Sequence, residues 1–107
     1  MPIYKAPLRD MQFTLNEVLE ANAFWQNTPK LSHVDGDTVN AILEAMAQFS
    51  EDILLPINRS GDEEGCTFNN GVVTVPAGFK EAFKQYAEGG WIGLGAEEEF
   101  GGQSMPK

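Results

Sequence analysis

The sequence has little of the two side chains that most often hold metals or carry covalent chemistry, with one cysteine and one histidine in 107 residues. A single cysteine excludes an internal disulfide framework. Cys66 lies in the acidic stretch EEGCTFNNG, which disfavours a reactive thiolate. His33 has no second histidine or neighbouring cysteine to complete a metal site. We therefore expect Cys66 to be incidental and His33 to be a loop or capping residue.

Positive charge is also scarce, because 7 Lys and Arg against 16 Asp and Glu give a net charge of -9. Such a surface repels nucleic-acid phosphates and anionic lipid. No apolar run approaches the ~20 residues that a membrane span needs, and the first residues lack a secretory pattern. These absences predict a cytoplasmic protein with no nucleic-acid partner and no membrane span.

Apolar residues recur at helical spacing in three parts of the chain. The first predicted helix covers residues 8–24, with Asp10 as its N-cap. The second has the broadest apolar face and starts after Asp35 or Asp37, either of which suits an N-cap. It is expected to end or kink at Pro56, since proline lacks the N–H that a helix interior uses.

A charged loop over residues 58–65 and then a β-hairpin are expected next. Asn70-Gly71 lies between Thr67-Phe68 and residues 72–75 (VVTV). This dipeptide favours the left-handed turn of a hairpin. A lone two-stranded hairpin is marginally stable, so we expect it to lie against the helices. The letters PAG open a third helix, which Gly89 is expected to end in a left-handed conformation. The predicted fold is mainly all-α, with three to four helices, a small hairpin near 66–75 and a glycine-rich ending.

Several short motifs do not meet the requirements of the sites they suggest. Residues 35–37 (DGD) lack the third oxygen ligand and the final bidentate glutamate of a calcium loop. Residues 93–95 (GLG) lack the preceding strand and third glycine of a dinucleotide-binding fingerprint. A raised pKa can make one of several adjacent carboxylates a general base, but a solvated acidic turn is the preferred interpretation of Glu97–Glu99. Trp25 and Trp91 are expected to be core or interface anchors.

The end of the chain carries a family resemblance. The segment GGWIGLGAEEEFGGQSMP, preceded by the helix FKEAFKQYAE, resembles the N-terminal domain of the acyl-CoA dehydrogenase family. The opening MPIYKAPLRDMQFTLNEVL and the segment ILLPINRSGDEEGCTFNNGVVTVPAGF are similar to the longer bacterial branch that includes 3-(methylthio)propanoyl-CoA dehydrogenases. The chain departs from the pattern at Ala96 (usually Pro), Phe100 (usually Tyr) and Ser104 (commonly a third glycine in that branch).

The resemblance implies a helical N-terminal domain that joins a middle β domain and a C-terminal helical bundle around FAD and an acyl-CoA thioester. In the family, a glutamate removes the α-proton while the β-hydrogen leaves as hydride to the flavin, and an electron-transferring flavoprotein takes the electrons. The family's catalytic glutamate and main flavin contacts correspond to positions beyond Lys107. No catalytic, cofactor-binding or metal residue is therefore assigned in this chain, Glu97–Glu99 included.

The resemblance further implies that residues 1–107 are one N-terminal domain, a truncated part of a homo-oligomeric, multi-domain enzyme and inactive alone. Its helices, with Met46, Phe49, Phe83 and Tyr86, are expected to form one wall of the acyl-CoA cavity and part of an inter-domain interface. The alternative is a stand-alone acidic helical module that binds a protein partner through an exposed apolar patch.

Overall fold

The structure, a computed structural model, describes residues 3–107. Within them the helical segments join into four runs, and the mainly helical fold with one small hairpin is confirmed. The α-helices are α1 (Leu8–Phe13), α2 (Ala21–Gln26), α3 (Gly36–Phe49), α4 (Leu55–Glu64) and α5 (Phe79–Glu88). Wider π-helical turns extend α1 (Thr14–Val18) and join α3 to α4 (Ser50–Leu54), short 3₁₀ turns cover Pro29–Leu31, Trp91–Gly93 and Glu98–Phe100, and the hairpin strands are β1 (Thr67–Asn69) and β2 (Val72–Thr74).

The predicted single helix over residues 8–24 is wrong, because the chain breaks at Glu20. The Leu19 N–H bonds to the Thr14 carbonyl at 2.9 Å, which widens the last turn, and Glu20 then adopts a left-handed conformation with φ 47°. Asp10 is not the cap either, since α1 starts directly after Pro7 and Asp10 lies in its first turn. Helix α2 starts after this break, and its buried residues Ala21 and Trp25 pack with Val34 of the following loop and with Val39 of α3.

The start of the second helix follows the prediction. Asp35 is the N-cap, and its carboxylate accepts hydrogen bonds from the Thr38 N–H at 2.8 Å and the Thr38 hydroxyl at 3.0 Å. These two bonds hold the pKa of Asp35 below its ordinary value, the backbone donor having the larger effect. The cap also fixes where α3 begins, directly beside α2, whose Asn22 amide oxygen accepts the Gly36 N–H at 3.0 Å.

The predicted charged loop over 58–65 is wrong, and of the two outcomes predicted at Pro56, an end or a kink, the end is wrong. The π-helical turn shifts the bonding pattern just before the proline, because the Leu55 N–H bonds to the Ser50 carbonyl. Pro56 therefore falls in the first turn of α4, where its fixed φ suits a helix and its missing N–H is tolerated. Helix α4 then continues to Glu64.

The hairpin has the predicted turn, but the helices do not pack on it as predicted. Its strands pair antiparallel, with Phe68 opposite Val73, and Asn70 and Gly71 have φ values of 50° and 81°. Every strand residue is exposed, and Phe68 is 74% exposed. The expectation that the hairpin lies against the helices is therefore wrong for this chain by itself, because no helix reaches either face.

Helix α5 packs on α4 through a glycine. The Phe79 ring lies against Gly61, which is buried and has no room for a side chain. The left-handed residue after α5 is Gly90 (φ 80°) and not Gly89 (φ -72°), so that prediction is off by one position. The reason is that Gly89 extends the last helical turn by donating to the Gln85 carbonyl at 3.0 Å.

The buried core within residues 3–107 is small, and its main cluster is centred on Trp25, with Ala47 and Ala82 buried outside that cluster. Trp25, which is 7% exposed, packs with Ala21 and Val34, and Leu15, Leu31, Val39 and Met105 surround this cluster. The molecule measures 55 × 36 × 16 Å, and its Cα radius of gyration is 17.4 Å, against about 13 Å for a compact chain of this length. None of the helices within residues 3–107 combines the length and apolar character that a membrane crossing requires.

The left-handed Glu20 gives a stability prediction. A side chain in this conformation costs roughly 1–2 kcal/mol that glycine avoids, so Glu20→Gly should raise the free energy of unfolding by up to about 1 kcal/mol. The matched control Glu44→Gly, within α3, should lower it by about 1 kcal/mol. Urea denaturation measures both, and equal destabilisation by the two changes would contradict the helix break.

The Asp35 cap gives a pH prediction. Because the pKa of Asp35 is lower in the folded chain than in the unfolded chain, its stabilisation is complete above about pH 4 and is lost as the pH falls through the folded value. Asp35→Ala should lower the melting temperature at neutral pH, with the deficit shrinking on acidification. Asp37→Ala should lower the melting temperature less, at neutral and at acidic pH alike. A deficit for Asp35→Ala that does not change with pH would rule out the cap.

Candidate functional site

A concave surface lies beside the small core. Two adjoining cavities of about 610 and 560 Å³ share Phe24, Trp25, Met105, Pro106 and Lys107. We call this continuous depression the Trp25 groove. Its floor is the Trp25 ring, and one of its walls is the last stretch of the chain.

The flank of the groove beside α3 is apolar. Leu19 and Phe24 stand at its edge, 61% and 63% exposed, opposite Ile42 and Leu43 of α3. Its only charged lining residue is Lys107. This flank therefore presents aliphatic and aromatic surface that suits contact with apolar groups.

The other flank is acidic. Glu97, Glu98 and Glu99 line it together with Lys30 and Leu31. The three carboxylates are exposed, and none of them forms an ion pair within residues 3–107. This flank disfavours a phosphate or carboxylate ligand, since three adjacent negative charges face it.

The wall formed by the C-terminal segment is held by a compact set of backbone bonds. The Met105 N–H donates to the Leu94 carbonyl at 3.0 Å, and the Ser104 N–H donates to the Ala96 carbonyl at 2.8 Å. Gly102 lies directly on Ala96, so no side chain fits there. These contacts bring Met105 onto the Trp25 cluster.

Ser104 holds the turn in an unusual way. It has a left-handed conformation with φ 52°, which glycine adopts more readily. Its hydroxyl accepts the Glu98 N–H at 3.1 Å, and its carbonyl lies 3.1 Å from His33 Nε2. The hydrogen bond to the Ser104 hydroxyl thus stabilises a backbone conformation that glycine would adopt more readily. The same bond and the His33 contact fix the position of the acidic turn.

The residues singled out from the sequence are dispersed. His33 is an exposed loop residue, as predicted, and Cys66 is exposed and free. Trp25 is the predicted core anchor, while Trp91 is half-buried and covers Gly89. Within residues 3–107, no group of three or more histidine, cysteine, aspartate or glutamate side chains is placed to hold a metal ion.

The predicted cavity-wall residues lie apart from the groove. Phe49 and Tyr86 pack with ring centroids 6.1 Å apart, and Met46 is half-buried. Phe83 is 64% exposed on α5. None of the four lines the Trp25 groove, and their role as one wall of an acyl-CoA cavity stays a prediction.

Sequence reasoning missed the groove itself. Leu19, Phe24 and Met105 are its distinctive lining residues, and two of them flank the unpredicted break at Glu20. One available signal was the number of apolar residues in 11–24, which is too large for a single helical stripe. Met105 gave no signal, because its contact with Trp25 joins positions 80 residues apart in sequence.

The residues present do not fit a flavin dinucleotide. A pyrophosphate site in a dinucleotide fold uses a glycine-rich turn that opens a helix. Here residues 93–95 lead into the short turn Glu98–Phe100, whose carboxylates would repel the pyrophosphate. We derive no step through such a cofactor from this chain.

Comparison with known proteins finds similar proteins of one kind. No protein-family model matches it. It is 33% identical over 107 residues to a 3-methylmercaptopropionyl-CoA dehydrogenase of Ruegeria pomeroyi, an alignment that covers 97% of this chain and 18% of the relative. It is 30% identical over 109 residues to a broad-specificity linear acyl-CoA dehydrogenase of Mycobacterium tuberculosis, covering 100% of this chain and 18% of that protein.

A butyryl-CoA dehydrogenase of Syntrophomonas wolfei is 29% identical over 90 residues, covering 81% of this chain and 15% of the relative. The chain therefore spans less than a fifth of the length of the curated relatives it matches. The names of these relatives agree on dehydrogenation of acyl-CoA thioesters and differ in the acyl group.

Ser104 gives a prediction with a matched pair of variants. Ser104→Ala keeps the left-handed backbone and loses the bond to the Glu98 N–H, whereas Ser104→Gly loses the bond but relieves the strain. The alanine variant should therefore be about 1–2 kcal/mol less stable than the glycine variant. Urea denaturation measures the difference, and equal stabilities would contradict the left-handed turn.

Proposed function

Because its sequence is related over most of its length to the acyl-CoA dehydrogenase family, as predicted, we propose that this chain is the N-terminal helical part of an FAD-dependent acyl-CoA dehydrogenase. The observation that carries the proposal is the 33% identity across 97% of the chain. The mainly helical fold supports it. The three relatives are named for different acyl groups, so the proposed substrate class is an acyl-CoA thioester of unassigned chain length.

The proposed role of the chain is to supply apolar surface and exclude water. The face with Met46, Phe49, Phe83 and Tyr86 forms one wall of the acyl-CoA cavity in this proposal. Removal of a proton next to a thioester benefits from a site without bulk water, because charge interactions are stronger there. The Trp25 groove forms the inter-domain interface, since its exposed apolar flank needs cover.

The chemistry itself belongs to other parts of the enzyme in this proposal. The full enzyme holds FAD, passes electrons to an electron-transferring flavoprotein and assembles as a homo-oligomer. This chain by itself is inactive, in keeping with the dispersal of its titratable side chains. Its cytoplasmic location stays a prediction from the sequence.

The second candidate is a stand-alone acidic module that binds a protein through the Trp25 groove. The observation in its favour is that the two flanks of the groove differ in character. One flank is apolar and has no acidic lining residue, and the flank beside it is acidic. The DNA downstream of the Lys107 codon separates the two candidates. An open reading frame that continues into further dehydrogenase sequence supports the enzyme part, and a native stop codon supports the module.

A complementation experiment tests the enzyme proposal. The Ruegeria pomeroyi relative would be produced without the segment that matches this chain and then mixed or co-expressed with it. We expect the chain to restore flavin retention and acyl-CoA-dependent reduction of an artificial electron acceptor. The reason is that it returns the missing wall and the missing interface.

Two controls make the outcome decisive. The chain alone, incubated with FAD and dialysed, should be colourless and inactive; stoichiometric bound flavin would show that the proposed division of labour is wrong. Phe24→Lys should fail to complement, because it places a charge in the interface. Failure of the unaltered chain, while the full-length relative is active under the same conditions, would count against the proposal.

A further inference from the structure

The first described residues form an irregular segment that lies against the junction between α3 and α4. Residues 3–7 precede α1 and have no regular secondary structure; we call them the N-terminal strap. Ile3 is 87% exposed and Tyr4 is 42% exposed, so burial of apolar surface contributes little to holding the strap in place. Segments with few buried contacts are the parts of a protein that open locally. The strap therefore depends on specific polar contacts.

One carboxylate provides these contacts. Glu51 Oε1 accepts the Ala6 N–H at 2.9 Å, and Glu51 Oε2 accepts a hydrogen bond from the Lys5 ammonium at 2.8 Å. The two bonds join positions 45 and 46 residues apart in sequence. Within residues 3–107, no other hydrogen bond joins the strap to a residue beyond α1. Hydrogen bonds to an ionised group are roughly twice as strong as those between neutral groups, so one side chain determines whether the strap is bound.

The contact favours the charged forms of both partners. The Lys5 hydrogen bond and then the Ala6 N–H lower the pKa of Glu51 below its ordinary value, and the hydrogen bond to Glu51 raises the pKa of Lys5. A fully exposed ion pair contributes little to stability. The Glu51 side chain is only 21% exposed, against 80% for Lys5, and it also accepts a backbone N–H. The carboxylate is therefore the partner on which the contact depends.

The strap lies over a cleft in the same junction. Tyr4 lines a cavity of about 240 Å³ together with Ser50, Leu54, Leu55 and Asn58. Ligand pockets usually measure about 300–1,000 Å³, so this cleft is too small for a ligand site, and the strap itself is its cover. The π-helical turn Ser50–Leu54 contains Glu51 and also forms part of the cleft. The contact that holds the strap and the surface that the strap covers thus belong to one turn.

We propose that the N-terminal strap is a conformational device: the charged carboxylate of Glu51 holds residues 3–7 closed over the π-helical turn, and loss of that charge releases the strap as a unit. Release moves Tyr4 away from the cleft, because Lys5 and Ala6 next to it are the two bound positions. None of the strap residues belongs to the Trp25 cluster, so the strap opens while the core stays folded. This inference concerns the chain itself and does not rest on the proposed function.

Amide hydrogen exchange, measured by NMR, tests the proposal. The Ala6 N–H should exchange about tenfold or more faster in Glu51→Ala than in the unaltered chain, whereas the N–H of the fully buried Val34 should keep its rate. The matched control Glu63→Ala removes a carboxylate that pairs only with Arg59 at an exposed site, and it should change neither rate. An unchanged Ala6 rate in Glu51→Ala, or an equal acceleration at Val34, would overturn the inference.

Glu51→Gln separates charge from shape, and it replaces Glu51→Ala if that variant loses its helical circular dichroism. Glutamine keeps an oxygen that accepts the Ala6 N–H but lacks the negative charge that pairs with Lys5. The Ala6 exchange rate should therefore lie between those of the unaltered chain and Glu51→Ala. A rate equal to that of the unaltered chain would show that charge does not hold the strap and would overturn the inference.

Trypsin gives a second readout, because it must bind the Lys5 side chain in its own pocket before it cleaves after this residue. Cleavage after Lys5 should be several-fold faster in Glu51→Gln than in the unaltered chain, since the opened strap is the form that is cut. Glu63→Ala should be cleaved there at the unaltered rate. Equal rates for Glu51→Gln and Glu63→Ala would overturn the inference.

Discussion

The packing of Trp25 on Ala21 and Val34 is the contact on which the fold of this chain depends. Around it converge four segments that are separate in sequence, represented by Leu15, Leu31, Val39 and Met105. Loss of such an aromatic side chain costs roughly 3–5 kcal/mol, a large part of the stability of a small domain. The same ring is the floor of the groove, so stability and the proposed binding surface share one side chain.

The flat shape of the chain accompanies a large exposed apolar surface. Beyond the Trp25 cluster, the second half of the chain has contacts such as Gly61 against Phe79 and Tyr86 against Phe49, and its hairpin is exposed. The chain is flat, with a shortest dimension of 16 Å, and the buried apolar residues within 3–107 are Ala21, Trp25, Val34, Ala47 and Ala82. The proposed enzyme accounts for this exposure, because its other parts would cover the exposed apolar surface.

Local chemistry made part of the fold predictable from the sequence. The Asp35 cap and the Asn70-Gly71 turn follow from side chains that interact within three residues. The break at Glu20 and the helix through Pro56 were not predictable, because each depends on a π-helical turn that has no residue signature of its own. The groove escaped prediction for a different reason, since it requires the long-range contact of Met105 with the Trp25 cluster.

The central claim is that this chain by itself is flat and leaves the Trp25 groove uncovered. Small-angle X-ray scattering of the chain, at a dilution where it is monomeric, tests this most directly. The structure predicts a flat particle with a radius of gyration near 17.4 Å. A globular profile with a radius near about 13 Å would contradict it, because the chain would then bury its own apolar surface.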